Sequence, residues 1–185
     1  MARFIYGMMQ SLDGYIEGPS GGPAWAVPGP ILSRYFTDYF RGLAGVLYGR
    51  RMYEVMRYWD EDQPDWDALD HEFAQAWRSK PKWIASRSLN SVSPNATLIG
   101  EDLIAFATRL KAQRDGDIDV SGASLAYELS TAGLVDEYRL YFRPYILGGG
   151  RPYFAGPLPP LRLLSSDPVG EDAVRLTYIP AHIPA

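Results

Sequence analysis

The chain has 185 residues, of which 46% are hydrophobic and 14% aromatic, and its formal net charge at pH 7 is −4. This length predicts one domain, residues 1–185, with a core of its own, and the acidic charge argues against nucleic-acid binding. No apolar run reaches the roughly 20 residues of a membrane span, and the lack of cysteine excludes disulfides, thiolate catalysis and cysteine-bound zinc, so we expect a cytoplasmic protein without a nucleic-acid or membrane partner.

The first part of the sequence alternates short apolar runs with segments of helical periodicity. Arg3–Gln10 is mostly apolar and too short for a substantial helix, so it predicts a buried strand. A loop rich in Gly and Pro follows at 18–30, and aromatic residues then recur at helical spacing over 31–43. Further strands are predicted at 45–48, 82–86, 97–99 and 117–120, and further helices at 50–58, 66–77, 103–110 and 124–132.

After residue 135 the pattern changes to strands alone, at 137–145, 161–166 and 173–179. Strands that alternate with helices indicate an α/β fold with a mainly parallel sheet. We expect the closing strands to add antiparallel edges to it.

Metal binding finds no support in the residue pattern. His71 and His182 lack the spacing of a metal pair, and the acidic run at 60–67 lacks the glycine and closing glutamate of a calcium loop. We predict no metal site.

Three strand-to-helix turns carry residues suited to phosphate, because helix N-termini beyond the carboxyl ends of parallel strands attract anions. In the first turn, Gly49 allows close approach of a ligand, and Arg50 and Arg51 supply fixed positive charge. Two cations at a helix start oppose the helix dipole, and a bound anion would remove that conflict. The alternative is a solvated helix start.

The second and third turns are less specific. Ser86, Arg87 and Ser88 could bond a 2′-phosphate, although serine and arginine are common in turns. In the third turn, Gly122 permits an unusual backbone angle or close approach and Ala123 leaves room for a ligand, whereas Ser121 or Ser124 could simply cap a helix. No Gly-x-Gly-x-x-Gly run or Walker motif occurs.

Six segments together resemble the reductase domain of bacterial riboflavin biosynthesis and its stand-alone dihydrofolate-reductase-like relatives. They follow the family's order from about residue 3 to about residue 179. The segments are 11–16 (SLDGYI), 47–54 (LYGRRMYE), 86–89 (SRSL), 122–125 (GASL), 133–137 (GLVDE) and 148–154 (GGGRPYF).

The resemblance implies a three-layer dihydrofolate-reductase-like fold, NADPH as hydride donor and a flat heterocyclic substrate. The 2′-phosphate side of the cofactor would fall to the first two turns and the pyrophosphate to the third. The cofactor-binding residues would be Gly49, Arg50, Arg51, Ser86, Arg87, Ser88, Gly122, Ala123, Ser124 and Leu125. Asp13 would lie near the nicotinamide and the substrate, and Trp25 and Phe36 could line a planar pocket, although aromatic residues at helical spacing are more often core.

Three departures from the family pattern bear on activity. Ala123 replaces a frequent second glycine and Met52 a threonine, which would weaken contacts to the pyrophosphate. Ser33 falls where dihydrofolate reductases carry the carboxylate that binds the pterin, and Asp38 is the acid remaining on that helix. The candidate catalytic residues are therefore Asp13 and Asp38.

These observations favour an NADPH-dependent reductase of a pyrimidine or pteridine-like heterocycle, as in 5-amino-6-(5-phosphoribosylamino)uracil reduction. The alternatives are a dihydrofolate reductase and a dinucleotide-binding module without efficient turnover. We also expect a homodimer, because the C-terminal strands give more apolar surface than one helical layer must cover, although this face could instead pack inside a monomer. The residues of this surface are Tyr138, Leu140, Phe142, Tyr145, Ile146, Leu161, Leu163, Leu164 and Tyr178.

Overall fold

The computed structural model describes residues 1–22 and 24–181 and alternates strands with helices over most of its length. The helices are α1 (Pro30–Gly42), α2 (Arg50–Met56), α3 (Ala68–Arg78), α4 (Leu103–Gln113) and α5 (Ala123–Thr131). The strands are β1 (Arg3–Gln10), β2 (Tyr15–Glu17), β3 (Gly45–Gly49), β4 (Lys82–Ala85), β5 (Ala96–Ile99), β6 (Asp117–Ser121), β7 (Glu137–Phe142), β8 (Arg151–Pro152), β9 (Leu161–Val169) and β10 (Ala173–Pro180).

The central sheet has the strand order β5-β4-β3-β6-β1-β7-β10-β9. Strands β5 to β7 of this order run parallel, and β10 pairs antiparallel with both β7 and β9. The prediction of a mainly parallel sheet with antiparallel C-terminal strands is therefore confirmed. Strands β2 and β8 form a separate antiparallel pair, which the sequence pattern did not predict.

Helices cover both faces of the parallel part of the sheet, because its strands carry apolar side chains on both faces. On one face Phe4, Leu47 and Val120 lie in one core cluster with residues of α4 and α5. On the other face Val46 and Tyr48 cluster with residues of α1, α2 and α3. The result is the expected three-layer α/β/α arrangement.

Polar contacts fix the ends of several elements. Asp67 caps α3 by accepting hydrogen bonds from the backbone N–H groups of Leu69 and Asp70. The carboxylate of Glu171, in the β9–β10 turn, accepts hydrogen bonds from the first backbone N–H groups of α1. No helix within the described ranges has the length and apolarity required to cross a membrane.

Strand β7 is shorter than predicted, ending at Phe142 instead of residue 145. The chain turns there because the Arg143 side chain enters the protein and Pro144 follows it. The Arg143 guanidinium donates hydrogen bonds to the carbonyl of Ala26 at 3.3 Å and to the Asp172 carboxylate at 3.0 Å. A buried cation thus ties the loop before α1 to the sheet.

Candidate functional site

The three predicted turns lie side by side at one edge of the sheet. Strands β4, β3 and β6 are parallel neighbours, and their register pairs Ala85 with Gly49 and Tyr48 with Ser121. Their carboxyl ends therefore meet at the same edge, where α/β proteins bind ligands. Strand β1 is the next neighbour of β6, so the turn after Gln10 joins this edge.

The first and third turns touch each other through their glycines. Gly122 has a φ of +121°, and a Cβ atom placed on it would lie 3.6 Å from the backbone nitrogen of Gly49. Such a φ strains any L-amino acid, so glycine is required here. Gly122 is the N-cap residue of α5, and no side chain caps this helix through a hydrogen bond. Neither Ser121 nor Ser124 therefore has the capping role that the sequence allowed. The backbone N–H groups in the first turn of α5 therefore have no side-chain cap, and such groups can bind an anion.

The arginines of the first turn do not converge on one point. Arg50 forms an ion pair with Glu54 within α2 at 2.9 Å, whereas Arg51 approaches Glu17 of β2 at 3.7 Å. Each guanidinium group therefore already has a carboxylate beside it. The expectation of two unpaired cations at the start of this helix is wrong. A phosphate would have to compete with those carboxylates.

The second turn is organised by its own serine. The Ser86 hydroxyl oxygen accepts hydrogen bonds from the backbone N–H groups of Ser88 and Leu89 at 3.2 and 3.1 Å. This local turn exposes Arg87 and Ser88 beside Ala85 at the carboxyl edge. The Ser86 oxygen is occupied by hydrogen bonds within the turn. The Arg87 side chain is exposed and is available to a ligand.

Asp13 serves as an anchor for the turn after β1. Its carboxylate accepts hydrogen bonds from Ser11 Oγ and from the backbone N–H groups of Leu147 and Gly148. The hydrogen bond from Ser11 lowers the pKa of Asp13, and the two backbone donors act in the same direction. Asp13 is thus held as a carboxylate, which favours an anchoring role over that of a proton donor, and its assignment as a catalytic residue stays a prediction.

Asp38 also does not fit the catalytic role that the sequence suggested. Its side chain is 74% exposed and pairs with Arg41 on the outer surface of α1 at 2.9 Å. The buried side of α1 is formed by Leu32, Thr37 and Phe40. Asp38 lies on the opposite side of the helix and faces solvent.

The two candidate substrate-binding aromatics differ in their surroundings. Phe36 packs its ring against Tyr35 and Tyr141, with a centroid distance of 5.1 Å to Tyr141, so it contributes to the core. Trp25 lies in the loop before α1 against Tyr145, with a centroid distance of 5.9 Å. Its buried indole N–H has no hydrogen-bond partner among the described residues, so Trp25 is the better of the two candidates for a ligand contact.

Asp119 is a buried carboxyl group near this edge that the sequence pattern did not single out. Asp119 lies in the middle of β6 and is 3% exposed, and it accepts hydrogen bonds from Ser121 Oγ at 2.7 Å and Tyr39 Oη at 2.9 Å. Burial raises the pKa of Asp119 to about 6, against the opposing effect of these two hydrogen bonds and of nearby Arg139. An acid between Ile118 and Val120 in an apolar strand was the available sequence signal.

An open groove of about 550 Å³ adjoins the first turn. Its lining residues are Glu17, Gly18, Pro19, Ser20, Gly21, Arg51, Gly150, Arg151 and Pro152, and we refer to it as the Glu17 groove. Strands β2 and β8 form one wall, and Arg51 of α2 belongs to the other. Within residues 1–22 and 24–181 no cluster of three His, Asp or Glu side chains could hold a metal ion.

The α/β/α layers and the strand order define a dihydrofolate-reductase-like fold. A dihydrofolate reductase from Enterococcus faecalis superposes with a TM-score of 0.65 at 11% identity, over 96% of this chain and 95% of that chain. The chain belongs to the RibD C-terminal domain family, whose sequence profile matches residues 3–175.

Three further proteins are similar to this chain. The uncharacterized Bacillus subtilis protein YyaP is 33% identical over 156 residues, which are 82% of this chain and 80% of YyaP. A Shewanella sp. PV-4 protein whose name refers to riboflavin biosynthesis superposes with a TM-score of 0.74 at 24% identity, over 97% and 98% of the two chains. Acinetobacter baumannii RibD gives a TM-score of 0.69 at 18% identity over 98% of this chain, which spans 58% of that protein.

Proposed function

We propose that this protein is an NADPH-dependent reductase of a pyrimidine or pteridine-like heterocycle, in the manner of 5-amino-6-(5-phosphoribosylamino)uracil reductase. The observation that carries the proposal is the contact between the Gly49 and Gly122 turns at the carboxyl edge of the sheet. Membership of the RibD C-terminal domain family supports the same activity.

The cofactor fits the residues at this edge. The uncapped first turn of α5 and the close approach at Gly122 suit a pyrophosphate, while Arg87 and Arg50 border the adjoining turns on the side proposed for the 2′-phosphate. When bound, NADPH would supply the hydride. The chain's own residues would position the two rings and exclude water.

Reduction of the substrate also consumes a proton, and the described carboxyl groups differ in their ability to give one. Asp13 is held as a carboxylate and Asp38 is exposed on the outside of α1. Asp119 is buried and accepts a hydrogen bond from Ser121, the last residue of β6, and burial raises its pKa to about 6. We assign Asp119 a positioning role through Ser121.

Dihydrofolate is not the substrate that this site favours. Ser33 occupies the position expected for the pterin-binding acid, and its carbonyl accepts a hydrogen bond from the Thr37 hydroxyl within α1. Asp38, the acid of that helix, points into solvent. A pyrimidine that needs no such carboxylate suits the described residues better.

The test is to incubate the purified protein with NADPH or NADH and a panel of pyrimidines, dihydrofolate and quinones. Loss of reduced-nicotinamide absorbance with a pyrimidine, and tighter binding of NADPH than NADH by at least about tenfold, is the expected result. Binding of NADPH without turnover of any substrate would instead support the cofactor-binding module. No binding of either nucleotide would overturn the proposal.

A further inference from the structure

The loop before α1 is held on both sides by side chains from distant parts of the chain. Residues 25–29, which we call the Trp25 loop, lead directly into α1. At the start of α1 the Glu171 carboxylate accepts hydrogen bonds from backbone N–H groups, and at the other end of the loop the Arg143 guanidinium donates to the carbonyl of Ala26. Glu171 and Arg143 are 140 and 117 residues from the groups that they bind. The position of the loop is therefore set by long-range contacts.

Arg143 makes its contacts on two sides at once. Its Nε and Nη2 atoms lie 2.8 and 3.0 Å from the two carboxylate oxygens of Asp172. Its Nη1 donates to the carbonyl of Ala26 at 3.3 Å, and its Nη2 donates to that of Val27 at 3.4 Å. A guanidinium group can do this because its five N–H donors are fixed in one plane, whereas the ammonium of lysine has only three donors at one point. Arg143 thus links the β9–β10 turn, which carries Asp172, to the Trp25 loop.

The same guanidinium supports two aromatic rings. Arg143 Cζ lies 5.6 Å from the centroid of the Tyr145 ring, and that ring lies 5.9 Å from the Trp25 ring. The backbone N–H of Leu12 donates to the carbonyl of Tyr145 at 2.8 Å, so the two rings lie beside the turn after β1, at the carboxyl edge of the sheet. Tyr145 is 39% exposed, so the ring pair presents apolar surface at this edge.

We propose that Arg143 is a positioning residue of the reductase site, which holds the Trp25 loop against the carboxyl edge so that Trp25 and Tyr145 form an aromatic wall for the substrate ring. The inference rests on the proposed function for the nature of that substrate. The Arg143 side chain is 3% exposed and its donors face Asp172 and the loop carbonyls. It therefore acts on the substrate through Trp25 and not by direct contact.

Lumazine, a flat pteridine that contains a pyrimidinedione ring, is the probe for this wall. Its binding to the intact protein saturated with NADP⁺ is measured by calorimetric titration. Arg143→Met removes all the donors, and we expect it to weaken lumazine binding at least about tenfold while NADP⁺ affinity stays unchanged. Asp172 is 34% exposed, so water can solvate it in this variant. Arg143→Lys keeps the charge beside Asp172 but cannot reach both sides, so it should restore only part of the lumazine affinity.

Arg78 offers a matched control, because it has the same kinds of partner elsewhere in the protein. It donates to the carbonyl of Trp59 at 2.6 Å and to the Asp62 carboxylate at 2.7 Å, and its Cζ lies 5.6 Å from the Trp66 ring. It ends α3, close to the amino end of β4 and away from the carboxyl edge. Arg78→Met should therefore bind lumazine as the wild type does, which separates loss of a tethered arginine in general from loss of the Trp25 loop.

Tryptophan fluorescence follows the loop without any ligand. The chain has five tryptophans, and subtracting the emission of a Trp25→Phe protein from that of its parent isolates Trp25. In Arg143→Met the Trp25 emission should shift to longer wavelength and be quenched more strongly by acrylamide, because the ring leaves Tyr145 for water. An unchanged Trp25 emission would overturn the proposal.

The titrations distinguish failure of this proposal from failure of the reductase function. Equal lumazine affinity in the wild type and Arg143→Met, or absence of lumazine binding by the wild type, would overturn the positioning role. Equal losses of lumazine and NADP⁺ affinity in Arg143→Met would also overturn it, since they would show a general structural effect. Lumazine binding that depends on Arg143, in a protein that does not oxidise NADPH with any substrate, would support the positioning role and reject the reductase.

Discussion

Replacement of Asp119 by asparagine should make the protein more stable at neutral pH. The carboxyl group is buried in β6, and burial raises its pKa from 3.8 to about 6. The native state therefore binds more protons than the unfolded state between about pH 4 and pH 6, so its free energy of unfolding falls as the pH rises through this window. A shift of about two units corresponds to roughly 3 kcal/mol at pH 7.

Asparagine keeps the shape of the protonated acid and can retain both neighbours. Its side-chain oxygen can accept from Tyr39, and its amide can donate to Ser121. We expect Asp119→Asn to exceed the wild type in free energy of unfolding by up to about 3 kcal/mol at pH 7 and by little at pH 4.

Urea unfolding of both proteins at half-unit steps from pH 4 to pH 8 measures this difference. Asp13 and Glu171 have lowered pKa values, so they stabilise the native state as pH rises, but they act equally in both proteins and cancel in the comparison. A variant less stable than the wild type at pH 7 would refute the reasoning, because it would show that the hydrogen bonds to the carboxylate and its Coulombic attraction to Arg139 outweigh desolvation.

Three further predictions concern the cofactor, the substrate and the assembly. Ser124→Glu places a carboxylate at an exposed position in the first turn of α5 and should weaken NADPH binding at least about tenfold without loss of stability. Fluorescence titration measures the binding. The control is Ala105→Glu in the first turn of α4, which should leave binding unchanged. Dihydrofolate turnover well below about 1 per second is expected in steady-state assays, and turnover in the ordinary enzyme range would show that another group replaces the missing acid. The protein should scatter light as a homodimer at micromolar concentration, and Leu164→Glu on the exposed edge strand β9 should shift it towards the 20.7 kDa of one chain; a wild-type monomer would remove the dimer.

The homodimer prediction now depends on only some of the residues that the sequence suggested. Tyr138 and Leu140 are buried within the protein, so these strand residues are not available to a partner. Leu163 and Leu164 are 50% and 54% exposed, and they lie on β9 at the edge of the sheet. A second copy that covers this edge would bury both leucines.

The order of elements and the meeting of the three turns could be predicted because both depend on local information. Periodicity identifies each strand, and parallel pairing then requires their carboxyl ends to share one edge. The Gly122 turn follows from the same logic, since glycine marks the positive φ that the close approach to Gly49 requires.

The partners of the charged side chains could not be predicted in this way. Glu17 and Arg151 are 134 residues apart in sequence, and the β2–β8 pair that joins them is too short to give a periodic signal. Asp38 and Asp119 show the same limit, because an aspartate on an amphipathic helix and one in an apolar strand differ in burial only after the layers have packed. Long-range packing, not composition, decides which acid is a surface group and which has a raised pKa.

The charge arrangement at the carboxyl edge also sets the strength of anion binding. An isolated guanidinium group about 4 Å from a unit negative charge would gain roughly 4 kcal/mol at an effective dielectric of 20, before desolvation. Arg50 and Arg51, however, already interact with Glu54 and Glu17, so a phosphate gains only the difference between two anions at each cation. Affinity for phosphate at this edge is therefore governed by the acids beside the arginines as much as by the arginines themselves.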